Sequence, residues 1–126
     1  MNLEVEVGIS FGDVISILSA IGAEYRIEDG FLTGNFAKSN IYFVFHVFSL
    51  PEKVAAEGGA FDWEVGMSGA FHCPVGFLFE SAADIKLFLT ELSSDTVFRF
   101  VLSFQYESLY TVRDEFGISF LKEMID

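Results

Sequence analysis

Phe61-Asp-Trp-Glu-Val-Gly-Met-Ser-Gly-Ala-Phe-His72 is the stretch that defines the fold of this chain, because its side chains alternate between apolar and polar. The apolar positions are Phe61, Trp63, Val65, Met67 and Phe71, and the polar positions are Asp62, Glu64, Ser68 and His72. A period of two is typical of a β-strand with one buried and one solvated side. We therefore expect a sheet with one covered face and one exposed face.

Further strands are predicted on both sides of this stretch. Residues Leu3 to Ile9 also alternate with a period of two. Tyr25 to Glu28 and Phe31 to Phe36 flank Asp29-Gly30, a dipeptide that favours a two-residue hairpin turn. The first segments of the chain therefore predict a strand and, later, a β-hairpin.

The aromatic segments complete the predicted sheet. Ile41 to Phe48 is apolar at nearly every position, which predicts a central strand covered on both faces. Phe98 to Tyr106 alternates again and predicts a long strand. The tail fits a strand, turn and strand over 109–122, although Ile118, Leu121 and Ile125 also have the spacing of a short helix. We favour the hairpin.

Two segments change to a helical period. Val14, Ile17, Leu18 and Ile21 are spaced as one face of a helix, which Ser10 and Asp13 would cap and which would end near Gly22. Ser81 and Asp84 repeat the capping pattern before Ile85, Phe88, Leu89 and Leu92, and predict a second helix over 82–93. The chain is thus predicted to be one α+β domain over residues 1–126, a mainly antiparallel sheet packed on one face by two helices. The other face would carry a solvated set: Glu4, Glu6, Asp62, Glu64 and His72.

The net charge of −12 limits the possible partners. With 52% hydrophobic residues the chain has enough apolar surface to fold, so the excess charge must lie on the surface of a folded domain. Such a surface attracts basic partners and repels nucleic acid, so we expect no direct nucleic-acid binding. The acidity is equally compatible with a simpler role in keeping a hydrophobic domain soluble.

Location and chemistry follow from what the sequence lacks. No apolar stretch is long enough for a membrane helix and no secretory signal precedes the first strand, so we expect a cytoplasmic protein that does not bind membranes. His72 and Cys73 are consecutive and would point to opposite faces of a strand, while Cys73 is expected to be a buried packing residue. His46, His72 and Cys73, even with Asp62 or Glu64, lack metal-ligand spacing. We expect no enzymatic activity, no metal and no cofactor.

A binding surface is predicted around the loop that follows the central strand. Pro51 to Ala60 contains Gly58-Gly59 and is expected to be mobile. Its neighbours on the polar side of the next strand place Glu57, Asp62 and Glu64 near one another. Trp63 would join them as an aromatic anchor if its ring reached the rim, although the alternation points it toward the core. These four residues are the predicted partner-binding site.

Strand Phe98 to Tyr106 runs into Tyr110-Thr-Val-Arg-Asp-Glu-Phe-Gly117, an ending that resembles those of the small acidic immunity proteins of bacterial contact-dependent growth inhibition and other polymorphic toxin systems. The resemblance extends over most of the chain as layout and charge. It implies tight binding to a cognate toxin domain, often a nuclease, whose active or substrate-binding site is blocked. The alternative is a small-molecule or peptide-binding module with a Phe-lined apolar pocket, as a monomer or a homodimer. The sequence leaves the oligomeric state open.

Overall fold

Eight antiparallel strands form one continuous sheet in the computed structural model, which describes residues 1–124. In chain order the elements are β1 Asn2–Glu6, α1 Phe11–Ala20, β2 Glu24–Glu28, β3 Phe31–Asn35, β4 Tyr42–Lys53, β5 Glu64–His72, α2 Leu78–Asp95, β6 Phe100–Phe104, β7 Ser108–Asp114 and β8 Gly117–Phe120. The strand order is β2-β3-β4-β5-β1-β6-β7-β8, so the first strand lies in the interior of the sheet. The predicted α+β class is confirmed.

Helix α1 begins as its sequence predicts. The Ser10 hydroxyl accepts a hydrogen bond from the Asp13 N–H at 3.3 Å, and the Asp13 carboxylate accepts one from the Ser10 N–H at 2.9 Å. This reciprocal pair satisfies two backbone donors that the first turn would otherwise leave free. Val14, Ile17 and Leu18 form the buried face, as the helical spacing indicates.

The capping role predicted for Ser81 and Asp84 is wrong. Helix α2 begins at Leu78, before both residues, and no side chain caps its N-terminus. Asp84 is instead buried inside the helix, where its carboxylate accepts a hydrogen bond of 2.8 Å from the Ser39 N–H. The serine–aspartate spacing therefore marks a link between α2 and the β3–β4 connection.

Both predicted hairpins are present. Strands β2 and β3 pair around Asp29 and Gly30, whose φ angles of 51° and 83° are the positive values that such a turn requires. At the C-terminus β7 pairs with β8, so residues 117–120 form a strand and the alternative of a helix beginning at Ile118 is wrong. Ile125, the last residue of that alternative, lies outside the described residues.

The main core lies between the two helices and one face of the sheet. Phenylalanine rings from β4, β5 and α2 pack with centroids 5.2 to 5.9 Å apart, in stacked, tilted and edge arrangements. Phe43, Phe45 and Phe88 are fully buried there. The chain thus fills its interior with the aromatic side chains rather than enclosing a cavity with them.

Over its first residues, strand β4 is covered on one face only. Phe43 and Phe45 point into the main core, whereas the alternating residues Tyr42, Val44 and His46 are exposed or half-buried. The prediction of a strand covered on both faces is wrong. Apolar side chains occupy both faces of β4, but helices pack on only one of them. We call the face turned away from α1 and α2 the outer face.

A β-bulge at Gly66 reverses the predicted alternation of β5. Met67 pairs with Val5, whereas Val65 pairs with Glu6, so Gly66 has no partner in this ladder. Because Val5 and Glu6 lie on opposite faces of β1, Met67 and Val65 also lie on opposite faces. The single apolar face predicted from Phe61 to Phe71 is therefore wrong: its C-terminal part joins the main core, and its N-terminal part turns to the outer face.

Candidate functional site

Residues 54–63, which we call the flap, connect β4 to β5 and cross the outer face of the sheet. The Glu4 carboxylate accepts hydrogen bonds from the Ala55 and Ala56 N–H groups at 2.7 and 3.0 Å. Farther along, the Glu57 N–H donates to the Tyr106 carbonyl at 2.7 Å. The predicted mobile loop is thus attached to the sheet at its middle and at the β6–β7 turn.

Glu4 is the clearest departure from the predicted solvated face. Only 4% of it is exposed, because the flap lies over it. A buried carboxylate is costly unless it is hydrogen-bonded, and the two flap N–H groups provide that compensation. The flap and Glu4 therefore stabilise each other's positions.

A second, smaller core lies beneath the flap. Ala56, Trp63, Val65 and Val101 are buried in it, and partly buried hydrophobic residues surround them: Phe48, Val54, Phe61, Leu109 and Val112. The Trp63 ring contacts Phe61 edge-on, with centroids 5.9 Å apart. Trp63 is 9% exposed, so it is an anchor of the flap and not a free aromatic group at a rim.

Three adjoining clefts lie where the returning part of the flap meets the start of β5. The largest has a volume of about 570 Å³ and is lined by flap residues together with Lys53 and Glu64. The second, of about 360 Å³, shares Phe61, Asp62 and Trp63 with it. The third, of about 410 Å³, adjoins the second through Arg99, Arg113 and Glu115. Together they form one concave surface at this end of the sheet.

Arg99 lies within this surface and is surrounded by carboxylates. Its guanidinium contacts Glu6 at 2.7 Å and Asp62 at 3.1 Å, and Glu115 lies at 3.8 Å. The Arg99 N–H also donates to Glu6 at 2.9 Å. These hydrogen bonds from Arg99 hold the pKa of Glu6 below its usual range. The cluster keeps three acidic side chains together around Arg99.

The structure brings three of the four predicted site residues together. Asp62, Trp63 and Glu64 all line the largest cleft, with Asp62 and Glu64 exposed. Glu57 lies apart from them, because its backbone is attached to Tyr106 beyond the far end of β6, whereas Asp62 contacts Arg99 just before β6 begins. The inclusion of Glu57 in the binding surface stays a prediction: Glu57 does not line the largest cleft, but its near neighbours Ala56 and Gly59 do.

Sequence reasoning missed Arg99 and Glu115 as members of this surface. Arg99 precedes β6 and Glu115 lies in the β7–β8 turn, so only the strand order brings them to Glu6 and Asp62. The only sign of this surface in the sequence is an arginine at the start of an otherwise apolar strand, in a chain that is rich in acidic residues.

Most cations of the described chain are engaged within the molecule. Arg26 pairs with Glu28 at 3.2 Å, and Arg113 donates to the carbonyls of Val97 and Thr96. Two lysines lie over aromatic rings: Lys86 over Phe120 and Lys122 over Tyr110. Most acidic residues have exposed side chains, and they outnumber the exposed lysines and arginines. The surface that a partner meets is therefore strongly negative.

The residues weighed for catalysis and metal binding do not form a cluster. Cys73 is exposed, which contradicts its predicted role as a buried packing residue, and His72 beside it is also exposed. Within residues 1–124, no group of three or more His, Cys, Asp or Glu side chains is arranged to hold a metal ion.

The same described range contains no helix that is both long enough and apolar enough to cross a membrane. The chain matches no family model, no curated protein and no solved structure.

Proposed function

We propose that this protein is an immunity protein that binds a basic bacterial toxin domain in the cytoplasm and neutralises it by covering its active or substrate-binding site. The observation that carries the proposal is the surface charge: most acidic side chains are exposed, and they outnumber the exposed lysines and arginines. A domain that binds nucleic acid presents the opposite sign, because it must hold phosphates. Long-range attraction between the two surfaces would speed their encounter.

The clefts at the start of β5 are the proposed contact region for the partner's cations. Asp62 and Glu64 are exposed there beside the rigidly packed Trp63. Because the flap is fixed by Glu4 and by its own small core, this surface is ordered before binding. A pre-ordered surface loses little conformational entropy when the complex forms, which favours high affinity.

The decisive experiment titrates the purified protein against the toxin domain encoded by the neighbouring gene while toxin activity is followed. We expect protection to be complete at a one-to-one ratio and specific for the cognate domain. Substoichiometric protection that increases with incubation time would instead indicate catalysis by this chain. No protection at several-fold excess would contradict the immunity role for that pair.

A charge-reversal pair locates the contact region. Reversal of Asp62 and Glu64 to lysine should slow association at low salt, because it removes steering charge from the proposed contact region. Reversal of Glu57 and Glu107, which are exposed near the β6–β7 turn, changes the net charge equally and is the matched control. Equal association rates for the two variants would contradict this location.

The alternative of a small-molecule or peptide module stays a prediction that no observation favours. Its premise was a phenylalanine-lined pocket, and the phenylalanine rings of the main core pack against one another. A thermal shift with hydrophobic ligands would support it.

A further inference from the structure

The outer face of the sheet is covered over only part of its area. The flap and the small core beneath it lie over β1, β6 and β7, through contacts with Glu4, Val101 and Leu109. The outer side chains of β2, β3 and β4 are not among the members of that core, except Phe48 in the middle of β4. We call this uncovered region, with the adjoining part of β5, the bare half.

The ladder pairings place the side chains of the bare half in rows. One row runs across the four strands as Glu24, Asn35, Tyr42 and His72, the next as Arg26, Thr33, Val44 and Ala70, and the third as Glu28, Phe31, His46 and Ser68. Each row therefore begins with a charged residue at the β2 edge. The first and third rows continue into aromatic rings.

These rings form two pairs, in which Phe31, Tyr42 and His72 are exposed and His46 is half-buried. Phe31 and His46 have centroids 5.2 Å apart, and Tyr42 and His72 have centroids 5.9 Å apart. Phe31 is 41% exposed and Tyr42 is 40% exposed. His46 also contacts Phe48, which packs against the small core beneath the flap. The bare half is thus continuous with the covered half.

Charge argues against a second copy of this chain as the occupant. Two copies would bring together two molecules that each carry a net charge of −12, and like charges brought into one interface cost free energy. The rim of the bare half adds to this repulsion, because Glu24, Glu28 and Asp29 lie at the β2 edge. Arg26 is the neighbouring cation, and it is already paired with Glu28. A basic partner is complementary to this rim.

The rings select the kind of cation. A guanidinium is flat and more weakly hydrated than an ammonium, so it stacks on aromatic faces while it pairs with carboxylates. Open rings flanked by carboxylates are the arrangement that favours arginine over lysine.

We propose that the bare half, with Phe31, Tyr42, His46 and His72 as its aromatic groups, is a docking surface for arginine side chains of a basic protein partner. This inference rests on the proposed function, since it takes the partner to be a basic protein. It adds a second contact region to the clefts at the start of β5 and assigns it a chemical preference.

The test uses the full chain, labelled with ¹⁵N and ¹³C, and two unstructured peptides of equal length and charge, one with arginine and one with lysine. The peptides are titrated at physiological salt, and chemical shifts are followed by NMR. We expect the arginine peptide to shift resonances of the bare half and to bind about threefold or more tightly than the lysine peptide, as guanidinium stacking predicts. Equal affinities, or shifts that follow the exposed carboxylates around the whole molecule, would overturn the proposal.

A pair of variants provides the second measurement. Phe31→Ser with Tyr42→Ser should weaken the arginine peptide roughly tenfold, as expected for the loss of two cation–π contacts. Ile27→Ser with Leu87→Ser removes two exposed apolar groups outside the bare half and is the matched control. Equal affinities of the two folded variants would overturn the proposal, and the peptide comparison on the unchanged chain decides if either variant fails to fold.

The outcomes separate this inference from the proposed function. If the arginine peptide bound at the bare half but the neighbouring toxin domain were not neutralised, the docking surface would be supported and the immunity role contradicted. If the Phe31→Ser, Tyr42→Ser variant neutralised the toxin domain and bound it with unchanged affinity, the immunity role would be supported. The bare half would then not be its contact surface.

Discussion

The covered and bare halves of the outer face belong to the same sheet, yet one is closed by the chain itself and the other is not. Over β1, β6 and β7 the flap buries Trp63 and Val65 and attaches to Glu4. Over β2 to β4 comparable apolar and aromatic side chains remain open, with Phe31 and Tyr42 about two-fifths exposed. Composition therefore does not decide which part of a sheet face is covered. A bulge and one buried carboxylate decide it here.

Gly66→Ala should have the largest effect on this difference. An added Cβ at Gly66 would lie 2.6 Å from the Val7 Cα, a backbone atom that cannot move aside without breaking the β1–β5 pairing. We expect a loss of about 2–4 kcal/mol in the free energy of unfolding, as for other strained or overpacked sites. Chemical denaturation measures it.

Gly76→Ala is the control for this substitution, because its added Cβ meets no atom within 4 Å. If both variants were equally stable, the bulge would not hold Trp63 and Val65 on the outer face.

Glu4→Gln should open the covered half without disturbing the bare half. The new amide keeps one acceptor oxygen but directs N–H donors toward a flap N–H, so one buried hydrogen bond is lost. The expected cost is about 1–3 kcal/mol. Hydrogen exchange of the Ala55 and Ala56 amides should become faster while exchange in β3 and β4 stays unchanged. Glu57→Gln, on an exposed side chain, is the control, and unchanged flap exchange in Glu4→Gln would contradict the attachment.

The Glu6–Arg99 pair should make the clefts beside the covered half sensitive to acid. The folded-state pKa of Glu6 lies below its ordinary value of 4.5, so its contribution to stability is fully present above that value. The contribution is lost as the pH falls through the lower, folded-state pKa. The difference in unfolding free energy between the unchanged chain and Glu6→Gln should therefore shrink on acidification below about pH 4.5. A difference that stays constant with pH would contradict the assigned cause.

Cys73→Ala should have the smallest effect and leave both halves unchanged. Cys73 is exposed just after β5, so its replacement removes little packing and should change the free energy of unfolding by less than about 0.5 kcal/mol. Toxin neutralisation by the folded variant should also be unchanged, because the proposal gives this thiol no role. Complete loss of neutralisation at unchanged stability would contradict that assignment.

Several elements that depend on local chemistry were predicted from the sequence, although the cap at Ser81 and Asp84 was not among them. The Ser10–Asp13 cap, the Asp29-Gly30 turn and the C-terminal hairpin all follow from residues within a few positions of one another. The candidate site was predicted only in part. Asp62, Trp63 and Glu64 are contiguous and line the largest cleft, whereas Glu57 does not line it.

By itself the sequence determined the α+β class, the strongly acidic surface and the aromatic interior, because periodicity, charge and composition are properties of the chain. Only the tertiary structure decided which carboxylates are solvated and which side chains share a face. Glu4 looks like a surface residue until the flap lies over it, and the alternation of β5 holds only until the unpaired Gly66 reverses it. The physical reason is that both outcomes depend on pairing between segments far apart in sequence, and a local pattern does not contain that pairing.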